Sequence, residues 1–135
     1  MNPRFFLLCI ALAGTPSIVD AKEPTLPIIY MNTDAQAPPD QVAVLLVNSK
    51  VADTGTLRCA IDRVAPWDGD NPKPDLHQPT ILVVKPMRHT ITAAYDGLRG
   101  GGYNYDDRVF KAGKRYRVYC DGLSFRSLKI VVEEM

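Results

Sequence analysis

The chain has 135 residues, 46% of them hydrophobic, with 16 Lys and Arg against 15 Asp and Glu for a formal net charge of +1. That length sets the scale at one domain with a modest core. The near-neutral balance gives no long-range field to draw in nucleic acid or an acidic membrane surface.

Residues 1–21 read as a secretory leader: a positive start ending at Arg4, an uncharged apolar stretch from Phe5 to Gly14, and small residues Val19 and Ala21 at the cleavage positions before Lys22. The apolar stretch is about half the 20 or so residues that a membrane-spanning helix needs, so no stable membrane insertion is expected. Leu8 precedes Cys9 where lipidation would require a small residue. Cleavage removes Arg4 and Asp20, one charge of each sign, and the net charge stays near +1. The expected location is periplasmic or secreted, in or outside a bacterial envelope.

Two cysteines remain beyond the leader, Cys59 and Cys120. In an oxidising compartment they are expected to pair as one inter-strand disulfide, because a redox-active pair is ordinarily close in sequence.

Residues 22–40 contain Pro24, Pro27, Pro38 and Pro39 and read as a proline-rich arm, with one edge strand over 28–31. A single β-sandwich domain is expected over 41–135. Residues 41–48, QVAVLLVN, are apolar on both parities and rich in β-branched side chains, which suits a strand covered on both faces. Beyond a turn at Asp53-Thr54-Gly55, residues 56–64 alternate, with Leu57, Cys59 and Ile61 inward and Arg58, Ala60 and Asp62 outward.

Residues 66–79, PWDGDNPKPDLHQP, form the longest irregular connection. Asp68, Asp70, Asn71 and Asp75 group oxygen ligands as a hard cation requires, but the spacing lacks the closing bidentate glutamate of a calcium loop. Trp67 offers a large apolar surface, either to close the core or to join a binding surface.

A strand is expected at 80–84, then a short hairpin at Pro86-Met87, then a strand at 88–95 with His89, Ile91, Ala93 and Tyr95 on one face. Residues 96–107, DGLRGGGYNYDD, read as a loop, because consecutive glycines carry a high backbone entropy cost in a strand. The turn at Ala112-Gly113 opens a strand with Tyr116, Val118 and Cys120 inward and Arg115, Arg117 and Tyr119 outward. A last strand spans 125–133, with Leu128, Ile130 and Val132 inward. Phe125 falls on the wrong parity, which calls for a bulge near Ser127 or places Phe125 in the turn. The sum is an all-β, two-sheet antiparallel sandwich, with an immunoglobulin-like arrangement among its forms.

For function, Arg99, Tyr103, Tyr105 and Arg108, with Trp67, are the candidate binding residues, since rigid aromatics on a permissive scaffold suit a recognition surface. Arg58, Arg63, Arg88, Arg115, Arg117 and Arg126 are candidates for a basic outward patch. Only Tyr119 shares a face with Arg115 and Arg117, too few aromatics for a nucleic-acid platform. His77 and His89, with Met31 and Met87, form no cluster that forces a metal site, so no metal or cofactor is expected. No nucleophile elbow, zinc-protease or phosphate-loop motif is present. The segments PMRHTITAAY and FKAGKRYRVY resemble a pattern in small exported bacterial lipoproteins and surface modules, in which a turn opens a strand of the type His-x-Ile-x-Val.

The reading is an exported, non-catalytic interaction module with a protein ligand favoured. The alternative is a small glycan-binding protein, or a glycan hydrolase using loop carboxylates among Asp68, Asp70, Asp106 and Asp107.

Overall fold

The computed structural model describes residues 26–66, 76 and 78–135. The leader, Trp67, the acidic group Asp68 to Asp75, and His77 lie outside the described residues. Among the described residues, nine strands and one 3-10 turn at Pro39–Gln41 follow in order: β1 Ile28–Tyr30, β2 Ala43–Val47, β3 Ala52–Asp53, β4 Leu57–Ala65, β5 Thr80–Val84, β6 Arg88–Gly97, β7 Gly100–Val109, β8 Arg115–Asp121 and β9 Lys129–Glu134. They build two sheets, β1-β5-β2-β8-β9 and β3-β4-β6-β7. Pairing is mostly antiparallel, with β1 parallel to β5 and β2 parallel to β8. Among the described residues no helix is long and apolar enough to cross a membrane.

The alternating strands turn their apolar parity into one shared core. Leu45 and Val47 from β2, Leu82 and Val84 from β5, and Val118 from β8 meet Cys59 and Ile61 from β4 and Ile91 and Ala93 from β6, each at most 2% exposed. Cys59 and Cys120 form a disulfide with Cα atoms 5.8 Å apart. It joins β4 to β8, and so one sheet to the other. A bulge between Ile61 and Arg63 adds one residue to β4. Strict alternation would turn Val64 outward with Asp62; the bulge resets the parity, and Val64 is buried.

Asn48 locks this bulge from the opposite sheet. Its φ is +58°, a left-handed conformation that asparagine tolerates better than most residues. Its buried amide donates to the carbonyls of Ile61 at 2.9 Å and Leu76 at 2.6 Å, and its Oδ1 accepts from the Ile61 N–H at 2.8 Å.

Several expectations are corrected. Residues 96–107 are not a loop: they finish β6, make a turn at Leu98-Arg99 and continue as β7. Pro86-Met87 does not close a hairpin, because β5 and β6 lie in different sheets and the chain crosses between them there. The edge strand expected within the arm is present as β1, hydrogen-bonded to β5 over 28–30, but Met31 after it is fully buried in the core. Of the two placements expected for Phe125 the turn is the one found, between β8 and β9, and the last strand begins at Lys129, not at 125. Tyr119 faces outward yet is only 5% exposed, with Lys50 Nζ 4.5 Å from its ring centroid.

Candidate functional site

The candidate residues converge on the β6–β7 hairpin. Tyr103 and Tyr105 share the outer face of β7, 58% and 69% exposed. Two strand steps separate them by about 7 Å. In register, Tyr103 lies opposite Ala94 and Tyr105 opposite Thr92, and the next strand over supplies Ala60 and Arg63. These neighbours are short apart from Arg63, which leaves the two rings as prominent groups on this part of the sheet. Beyond Tyr105 on the same face is a polar cluster: the Thr90 hydroxyl donates to Asp107 Oδ1 at 2.6 Å, and Arg88 lies 3.9 Å from Asp107 Oδ2.

The remaining candidates do not join the tyrosine face. Arg108 has the opposite parity to the tyrosines, and its Nε donates to Asp106 Oδ2 at 2.9 Å. Arg99 sits in the turn ahead of β7, and Trp67 lies outside the described residues. Asp106 and Asp107 are consecutive on a strand, so their carboxyl groups project to opposite faces and cannot flank one glycosidic bond. The arginine patch is divided: Arg58, Arg63 and Arg88 belong to the four-stranded sheet, Arg115 and Arg117 to the five-stranded one. Arg117 lies 3.8 Å from Glu133, and Arg58 3.9 Å from Asp53.

His89 is fully buried beside Phe110, with ring centroids 5.5 Å apart. Its Nδ1 donates to the Met87 carbonyl at 3.0 Å, and its Nε2 accepts from the Asn32 amide at 3.2 Å. Burial lowers its pKa from the ordinary value, against the smaller upward effect of the Met87 hydrogen bond. It is a structural clasp between β6 and the segment after β1. Among the described residues, no three His, Cys, Asp or Glu side chains converge as a metal site would require.

No family model, curated protein or solved structure matches this chain. Its function is therefore read from its own residues. Two groups escaped the sequence reading. One is Arg88, Thr90 and Asp107, which register alone brings together. The other is apolar: Leu98, Leu123 and Phe125 are exposed at one end of the sandwich. The repeated tripeptide Asp-Gly-Leu, at 96–98 and 121–123, is the signal that could have found it.

Proposed function

We propose that the chain is an exported, non-catalytic interaction module that binds a protein partner through the outer face of β7, with Tyr103 and Tyr105 as its anchors. The observation that carries this reading is two strongly exposed tyrosines side by side on a hydrogen-bonded strand. Held by the β6 ladder, they lose less backbone freedom on binding than the same residues on a loop would. Tyrosine is also enriched among residues that dominate binding energy. Arg88, Thr90 and Asp107 supply a polar rim beside them. Export rests on the leader, and the disulfide suits an oxidising compartment.

The test is affinity capture from the envelope fraction with wild type and with Tyr103→Ala/Tyr105→Ala. Loss of two anchors lowers affinity by more than about tenfold. Because both side chains are exposed, the melting temperature stays unchanged. Equal capture by both proteins removes this face from the function, and a captured polysaccharide in place of a protein makes the module a glycan binder.

A further inference from the structure

At one end of the sandwich the same local sequence runs twice from a strand end into a turn, Asp96-Gly97-Leu98 from β6 and Asp121-Gly122-Leu123 from β8. Turns ordinarily carry Gly, Asn, Asp, Ser or Pro. A leucine at a turn tip adds little to the core, and here Leu98 is 87% and Leu123 84% exposed. With Leu57 and Phe125, they border one open recess of about 260 Å³. Its size suits a single large apolar side chain, and a second open recess of about 520 Å³, bordered by Asp53, Arg58 and Asp96, shares Leu57 and Leu98 with it.

The recess is held in shape from both sides. Ser127 Oγ accepts from the N–H groups of Leu123 and Ser124, both at 2.9 Å, and is 3.1 Å from the Ser124 carbonyl to which it donates. The Phe125 ring meets Tyr95 edge-on at 5.5 Å, which ties the second turn to β6. Charge is arranged around the same turns. Arg99, Arg126 and Asp96 are exposed and have no ion-pair partner among the described residues.

We propose that this end of the sandwich is the contact face of a two-fold homodimer. A protruding leucine beside a side-chain-sized recess is a knob and a hole on one surface. A two-fold axis through the 96–99 turn sets Arg99 of each copy against Asp96 of the other and lowers Leu98 of each into the other's recess, as an isologous contact requires. Arg58 is already paired with Asp53 at 3.9 Å. Arg99 and Asp96, charges of opposite sign on one turn and unpaired among the described residues, supply the complementarity that a second copy of the same surface needs.

The test is sedimentation equilibrium of the purified protein over a wide concentration range. A reversible dimer is expected in wild type. Leu98→Asp raises its dissociation constant by more than about tenfold, with the melting temperature unchanged at concentrations where both proteins are monomeric, because the side chain is exposed. Arg99→Asp and Asp96→Arg each weaken the dimer by facing like charges, and the double variant Asp96→Arg/Arg99→Asp restores it. A structural role for either residue alone does not predict that rescue. Tyr103→Ala/Tyr105→Ala leaves the dimer intact, which separates this inference from the binding reading. A protein monomeric up to its solubility limit, or a dimer indifferent to Leu98→Asp, overturns the proposal. So does a monomer that pellets with phosphatidylglycerol vesicles only while Leu98 is present, since the tip then faces lipid.

Discussion

At the scale of single residues, the informative side chains are polar ones in the core. His89 was legible as an inward residue because it shares a parity with Ile91 and Ala93. Its partner Asn32 was not, being 57 residues away in a segment without periodicity. Asn48 was hidden for the same reason: its amide works between Ile61 and Leu76, and nothing local marks it. The neutral imidazole gives His89 a consequence in pH. Its pKa in the folded protein lies below the ordinary 6.5, so the unfolded chain takes up the proton more readily. The stability tied to neutral His89 is complete above about 6.5 and is lost as pH falls through the folded-state value. Melting temperature measured from pH 8 down to pH 5 should show an extra fall in wild type below about 6.5. In His89→Gln that component of the slope disappears, although the variant is less stable at neutral pH. Parallel curves for the two proteins would show that His89 is not the titrating group.

At the scale of elements, β7 departs furthest from its sequence pattern. Strands are recognised by an apolar parity, and the inward parity of β7 is Gly102, Asn104, Asp106 and Arg108. That composition follows from its place at the sheet margin, where little core remains to be covered. The glycines are explained by close approach. A Cβ on Gly101 would lie 2.6 Å from the Tyr95 carbonyl oxygen, and one on Gly102 would lie 2.6 Å from the Tyr95 hydroxyl. The two contacts differ in what can yield: a backbone carbonyl is fixed by the ladder, whereas a half-buried ring can swing aside. Gly101→Ala is therefore expected to cost about 1–3 kcal/mol, and Gly102→Ala less. In a Tyr95→Phe background, urea unfolding should show a smaller cost for Gly102→Ala and an unchanged cost for Gly101→Ala. If both costs shrink together, the ring and not the carbonyl sets both contacts.

At the scale of the molecule, the all-β class and the disulfide were legible, while the division of strands between sheets was not. Leu57, Cys59 and Ile61, like Tyr116, Val118 and Cys120, announce inward faces by simple alternation, and the two cysteines fall on those faces. The parallel pairs β1/β5 and β2/β8 and the crossing at Pro86-Met87 depend on which sheet each strand joins, a long-range choice that no local pattern encodes. The disulfide fixes that choice covalently, joining the two sheets across 61 residues of sequence. Closing a loop of that length restricts the unfolded chain by about 4 kcal/mol on the chain-entropy estimate. Cys59→Ala/Cys120→Ala should lower the urea midpoint, with a loss of roughly 2–4 kcal/mol, and steepen the dependence on urea as the uncrosslinked chain exposes more surface on unfolding. Non-reducing mass analysis of wild type should return a Cys59–Cys120 linked peptide. Free thiols in the exported protein, or equal midpoints for wild type and the double variant, would mean that noncovalent packing alone holds the two sheets together.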